Sequence, residues 1–293
     1  MADDAALPTE SHTSPLGGPR TQPVILRALR RILPPLCVVA ALLAIWEGSK
    51  LALAIPDQKL PHIAAVVEVL FSRSRGGSGP LLLTQMLLNA WATFRVALGG
   101  FALGGVLGFG LAALFARSRL LERGLMPYVI GSQTVPILAI APMVVVGLGR
   151  LDAPDWAAKM VVAAYLTFFP VTIGTLRGLR AVPPAALDLM RSYAARERDI
   201  FLKLRLPVAL PYLFTSLKVA ATASVIGAIV AELPAGAREG VGVMILNAAQ
   251  FYNSRPPALY AAILAAGLVG VAFYGLVALA ERMLVRAPRS NDG

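Results

Sequence analysis

The chain has 293 residues, 57% of them hydrophobic and only 15% charged, where soluble proteins have roughly a quarter charged. The apolar excess lies in long continuous runs, which excludes one soluble core and points to an all-α polytopic membrane protein. The formal charge of +11 falls between those runs and not on a soluble face, so it excludes nucleic acid as the partner and suits membrane lipids.

Residues 1–22 are rich in Pro, Gly, Ser and Thr and lack an apolar face, so 1–31 is expected to be a disordered cytoplasmic tail. Nothing in it resembles a secretory signal, since no A-x-A site follows a short apolar run. Residues 32–285 form the expected transmembrane domain, with six spans near 32–54, 96–116, 125–148, 156–177, 208–232 and 258–281. A cytoplasmic tail, 286–293, follows. Between the first two spans, HIAAVVEVLF carries apolar residues at helical spacing and is expected to form an interfacial helix. The second span carries Gly100, Gly104 and Gly108, a small-xxx-small series that permits close helix packing. Pro127, Pro136 and Pro142 interrupt the third span and Pro170 the fourth, which is tolerated where the helices face protein or a cavity. Trp46, Trp91 and Trp156 lie near span ends, where aromatic belts form.

Counting Lys and Arg by loop fixes the orientation. Seventeen of the 27 fall on the side that holds both termini and the loop between the fourth and fifth spans. That side is the cytoplasm, and the membrane is the plasma or inner membrane. The single cysteine, Cys37, rules out an internal disulfide, and His12 and His62 form no ligand cluster, so no metal site is expected.

The loop 178–207 contains LDLMRSYAARERDIFLKLRLP, a basic amphipathic stretch in a chain otherwise rich in Ala, Leu, Val and Gly. Leu187, Met190 and Tyr193, then Ile200, Phe201 and Leu204, are spaced for two short helices, with Pro183-Pro184 suited to the first helix start. Pro207 suits the first turn of the next span. A loop that only anchors topology is the simpler reading, but it does not need two helices with apolar faces, and such faces require a partner.

Here the chain resembles the membrane subunits of binding-protein-dependent ABC importers, whose loop signature reads E-A-A, three residues, G, nine residues, I-x-L-P. Asp188 takes the Glu position, Ala194 the Gly position, Leu204 the Ile position and Leu206-Pro207 the closing pair. The spacing holds, but Asp replaces Glu, Leu189-Met190 replace two alanines and Ala replaces Gly. Without that Gly an easy positive-φ turn is lost, so the bend is expected to be helical or displaced by a residue. The resemblance covers roughly 40–285 and is closest to the nitrate, sulfonate and taurine branch. AIWEGSKL, the glycine-rich second span, TVPILAIAPMVVVGLG, FFPVTIGTLRGLRAVPP and the Ala-Glu end of the fifth span occur in the order of that branch.

The resemblance implies a permease subunit of an ATP-driven importer, not an enzyme. Its 184–207 loop would dock on a separate ATP-binding subunit, with Asp188, Ala194, Ala195, Arg196, Glu197, Arg198, Leu204, Leu206 and Pro207 as ATPase-coupling residues. No cofactor of its own is expected. ATP would be used by the partner, since the chain has no Gly-Lys pair and therefore no G-x-x-x-x-G-K phosphate loop. The implied partners are two ATP-binding subunits, a second permease copy or a related permease, and a periplasmic or lipid-anchored solute-binding protein. The substrate class implied is a small organic anion of sulfonate, taurine or nitrate type, or a pyrimidine or vitamin-precursor solute.

Polar groups within the spans are the pathway candidates: Gln133, Thr134, Tyr165, Lys218, Thr222 and Glu232. Lys218 lies ten residues past Val208, ~15 Å into the membrane, where a charge faces the bundle interior or a watery path. A cation along the pathway and a structural pairing with another helix both fit it. A self-sufficient secondary carrier or channel is the alternative function. It predicts an inverted repeat and acidic sites within the spans, and only Glu47 lies well inside one.

Overall fold

The computed structural model describes residues 24–73, 79–234 and 237–285, and divides into two units, 1–55 and 56–293. The expected tails therefore lie mostly outside the described residues, although the first helix already begins at Val24, eight residues before the expected span.

The first unit contains α1 (Val24–Ala52), apolar enough from Leu33 to Ala52 to cross a membrane. It ends where Ala54 takes φ 48° and the Ile55 N–H reaches back to the Lys50 carbonyl at 3.1 Å. That backward bond caps a carbonyl the helix leaves free.

The second unit is built around α3 (Leu82–Arg117), α6 (Asp155–Arg180) and α9 (Leu206–Glu232). Small residues set their spacing. A methyl group on Gly104 would lie 2.5 Å from the Ala164 carbonyl oxygen, and one on Gly108 2.5 Å from that of Phe168. On α9, Gly227 stands against the Ala163 Cα, and Gly178 of α6 stands against the Ala209 Cα. Lipid gives helices little hydrophobic reason to associate, so backbone-close packing of this kind supplies the attraction. The close-packing role expected for the α3 glycines is the one observed. α11 (Pro256–Leu284) covers this core through Phe273, which meets Phe94 and Phe101 edge-on at 5.2 and 5.1 Å. α2 (Ile63–Leu70), the expected interfacial helix, buries Val66 and Val69 against Met86, Ala261 and Ala262.

The third span is interrupted, as its prolines suggest, but at one place and sharply. It is two helices, α4 (Arg119–Ser132) and α5 (Ile137–Gly149), bent by 95° at the break. Of the three prolines, only Pro136 marks the break; Pro127 and Pro142 sit inside their helices. Pro136 removes a backbone donor and biases Val135 towards extended backbone, and α4 ends at Ser132, three residues before Val135. Among the described residues, five helices are long and apolar enough to cross a membrane, and six if the bent pair is one span. Apart from an isolated bridge between Arg73 and Leu81, the regular structure among the described residues is helical. α10 (Val241–Gln250) is too short to cross.

Candidate functional site

The loop after α6 begins with α7 (Pro184–Ser192), where Pro183 occupies the N-cap position and Pro184 the first turn. A proline there gives up an N–H that would have no helical partner anyway. α7 closes with the Ala194 N–H donating to the Arg191 carbonyl at 2.9 Å and the Ala195 N–H to Met190 at 3.0 Å. Those two bonds form a Schellman closure, with Ala194 at φ 52° in the position glycine usually fills. The expectation of a helical or displaced bend is thus corrected. The paired bonds hold the left-handed turn in place, and alanine bears its steric cost, about 1–2 kcal/mol.

Arg196 then caps α8 (Glu197–Ile200) through its carbonyl, which accepts from the Asp199 N–H at 2.8 Å and the Ile200 N–H at 3.0 Å. A wider π turn over Phe201–Arg205 carries the chain directly into α9. The Leu206 N–H reaches Phe201, five residues back, and Pro207 offers no N–H to the Lys203 carbonyl. The second loop helix expected from the sequence is therefore the first turn of one rod, Glu197–Glu232.

The loop's surface divides by depth. Ile200 is buried and pins the rod, and Leu187, Met190, Ala195, Leu204 and Leu206 are half-buried. Asp188, Leu189, Tyr193, Ala194, Arg196, Glu197, Arg198 and Pro207 are exposed. Asp188 lies 3.6 Å from Arg191 on its own helix, and Lys203 lies 2.8 Å from Asp199. Leu189 and Tyr193, one turn apart and 58% and 78% exposed, form the outward apolar pair. Tyr193 was foreseen there. Leu189 was not, although its four-residue spacing from Tyr193 carries the signal.

The pathway candidates separate into three groups. Gln133, Thr134 and Tyr165 come together at the break between α4 and α5. The Tyr165 hydroxyl donates to the Ser132 carbonyl, which the end of α4 leaves free. Gln133 Nε2 donates to the Ser132 hydroxyl at 3.3 Å, and the Thr134 hydroxyl to the Gly131 carbonyl at 2.8 Å. Thr222 bonds back to its own helix, at the Val219 carbonyl, 2.8 Å away.

Lys218 is ion-paired: its Nζ lies 2.8 Å from Glu281 Oε2 of α11, and both side chains are mostly buried. Glu232 is 2% exposed at the far end of α9. It accepts from the Thr93 hydroxyl at 2.8 Å and from the Gly242 N–H at 2.8 Å. Thr93 in turn accepts the Val241 N–H at 2.8 Å, and Asn89 accepts the Gly240 N–H at 2.7 Å. The carboxylate thus ties α3 and α9 to the first turn of α10, where free N–H groups favour an acceptor. Gly240, at φ 126°, packs directly against that carboxylate, where a side chain would meet both strain and overlap. Glu232 is enclosed by this cluster and does not line an open path.

With this geometry in hand, comparison with known proteins places it among relatives. Residues 104–286 match the family model described as "Binding-protein-dependent transport system inner membrane component". A probable ABC transporter permease protein of Haemophilus influenzae is 34% identical, over 74% of this chain and 83% of that protein. The riboflavin transport system permease protein RibX of Chloroflexus aurantiacus is 31% identical, over 84% and 86%. The formylaminopyrimidine transport permease protein ThiX of Halalkalibacterium halodurans is 31% identical, over 86% and 95%. A putative aliphatic sulfonates transport permease protein, SsuC of Bacillus subtilis, is 33% identical, over 68% and 70%. Among solved structures, the inward-facing MetNI methionine ABC transporter superposes with a TM-score of 0.61 at 14% identity, over 70% of this chain and 98% of that one. At that identity the likeness concerns the fold.

Proposed function

The chain belongs to the family of binding-protein-dependent transport system inner membrane components and is an ABC importer permease subunit, and from that premise we propose how it is driven and what it carries. The 184–207 loop is the contact for the ATP-binding subunit, facing the cytoplasm with both termini. The observation that carries this reading is the continuous rod Glu197–Glu232. A push on Glu197 and Arg198, at the exposed start of the rod, is passed into a spanning helix with no break between, while Leu189, Tyr193 and Arg196 flank that start across the turn at Ala194. Two such loops, one from each permease of a dimer, serve two ATP-binding subunits. A solute-binding protein delivers cargo to the opposite face.

For the cargo, the charges favour a neutral or zwitterionic heterocycle of the pyrimidine or vitamin-precursor class. Lys218 is neutralised by Glu281, Lys159 lies 2.6 Å from Asp155, and Arg95 lies 3.6 Å from Glu239. Cations engaged in this way have little attraction left for an anion. The polar groups gathered at the α4–α5 break are uncharged: an amide, a hydroxyl and a phenol. The riboflavin and formylaminopyrimidine permeases among the relatives accord with this reading, whereas the sulfonate permeases keep an anionic cargo as a second reading.

The test is uptake into proteoliposomes holding the assembled transporter and its solute-binding protein, with ATP supplied on the side of the nucleotide subunits. Labelled formylaminopyrimidine and riboflavin are compared with labelled ethanesulfonate, a net anion. Accumulation of a heterocycle, with none of the sulfonate, is expected. Sulfonate accumulation alone would overturn the cargo assignment and leave the coupling reading standing.

A further inference from the structure

At the loop end of the second unit, the chain encloses a cavity of about 1100 Å³ between the α3–α4 bend, the end of α6, α7 and the π turn. Its lining includes four arginines, Arg119, Arg123, Arg180 and Arg205, and one acid, Glu122. Glu122 is occupied: its carboxylate takes a two-pronged bond from Arg180, with one N–O distance of 2.6 Å and a second, shorter contact. That pair joins α4 to α6 and uses the cavity's one negative charge. Arg119, Arg123 and Arg205 have no acidic partner among the described residues. Three guanidinium groups therefore border one cavity without an ion-pair partner, and Glu122 reaches Arg119 and Arg123 only through space.

The rest of the lining changes character with depth. Along α4 the arginines come first, at 119 and 123, and Met126, Pro127 and Ile130 follow. Ile130 lies eleven residues past Arg119, ~16 Å deeper at the helical rise. Leu179, buried beside Arg180 at the end of α6, adds apolar surface at the level of the arginines, so the change with depth is carried by α4. A site cationic at the ends of the spans and apolar deeper in has the layout of a phospholipid: phosphate at the interface, acyl chain within. A small soluble anion would have no use for the apolar half. A second cavity of about 790 Å³ shares Ala116 and Arg205 with the first and adds Arg117 and Arg198 with one acid, Glu197, so the border around the end of α3 stays net cationic.

We propose that this cavity binds the headgroup of an anionic phospholipid, with Arg119, Arg123 and Arg205 around the phosphate and the α4 wall along the acyl chain. Guanidinium groups suit the role because their forked donors match phosphate oxygens. Arg205 lies in the π turn and Leu187 in α7, so the bound lipid touches both halves of the loop as well as the spans. The assignment rests on the cavity and its charge, not on the cargo or the ATPase, and it fails separately from those readings.

Native mass spectrometry of the full chain in detergent tests it, using dioleoyl phosphatidylglycerol, dioleoyl phosphatidylcholine and inorganic phosphate as probes. One phosphatidylglycerol is expected to be retained in preference to phosphatidylcholine, undisplaced by millimolar phosphate. Arg119→Ala with Arg123→Ala should weaken it about 25-fold, at about five-fold per arginine. Arg205→Gln, a single change in the half-buried turn, should weaken it about five-fold and stands in if the pair does not fold. Arg191→Ala with Arg282→Ala removes two charges outside the cavity and should leave affinity within about two-fold. Equal retention of the two lipids, or equal losses from the two double variants, would overturn the site. Displacement by phosphate would show a free-anion site and overturn the lipid assignment.

Discussion

Glu232 separates two accounts of the membrane interior, and its replacement has a calculable cost. In Glu232→Ala the Thr93 hydroxyl and the Gly242 N–H each lose their acceptor inside a buried cluster. A buried donor left unsatisfied costs about 1–3 kcal/mol, so the change should destabilise the chain by about 2–6 kcal/mol. Glu232→Gln can leave its oxygen on the Gly242 N–H and donate its amide to the Thr93 hydroxyl, which also accepts, so it should cost less than the alanine change, about 0.5–1.5 kcal/mol. Thr93→Val removes the hydroxyl that serves both Glu232 and the Val241 N–H, so its effect should not add to that of Glu232→Gln. A coupling of at least about 0.5 kcal/mol is expected for residues in one network. The assay is reversible unfolding in mixed micelles followed by tryptophan fluorescence, to which Trp91, two residues from Thr93, contributes. Glu232→Ala unfolding within about 0.5 kcal/mol of the parent, with uptake abolished, would refute the structural role and return Glu232 to the pathway.

Two further substitutions test other joints. Ala194→Gly relieves the left-handed strain of about 1–2 kcal/mol, less the roughly 0.4–1 kcal/mol that glycine's freedom adds to the unfolded chain. Unfolding should therefore be unchanged or up to about 1.6 kcal/mol harder, and a loss of stability in the same assay would show that the turn is not strained. Lys218→Glu sets two carboxylates side by side and should cost about 3 kcal/mol, as breaking a largely buried pair does. Adding Glu281→Lys should recover most of that loss and restore uptake. Recovery of stability without uptake would mean that Lys218 itself meets the cargo.

Much of the membrane architecture was legible because hydropathy and helix length are tied by the bilayer. The ends of α6, α9 and α11 fall within three residues of those expected. α3 begins at Leu82, fourteen residues earlier than its expected span, because Gln85, Asn89, Thr93 and Arg95 lower the hydropathy of a segment that is nonetheless helical. Asn89 and Thr93 are there to satisfy the N–H groups of residues 240 and 241, about 150 positions away, and no local pattern announces such a pairing. The Lys218–Glu281 pair was hidden for the same reason, its members being 63 positions apart. The third span was expected to be interrupted by its prolines, but which of the three marks the break was not legible, because three prolines look alike in sequence. Where the helix actually breaks is decided by which freed carbonyl finds a partner, and Tyr165 supplies one at Ser132. In the loop, the signature spacing identified the coupling candidates. It did not reveal that alanine would accept the left-handed turn, because the bonds to Arg191 and Met190 that hold it belong to the folded chain.

The central claim is that the exposed loop is the handle by which an ATP-binding subunit moves this permease. The most direct measurement is affinity purification of the tagged chain from its host in mild detergent, beside a version carrying Arg196→Glu and Arg198→Glu. Both charges are exposed and outside the packed core, so the variant should fold and elute as the parent does. The account predicts an ATP-binding subunit held by the parent chain and lost, with its ATP hydrolysis, from the charge-reversed chain. An ATP-binding subunit retained equally by both would contradict the placement of the handle in this loop.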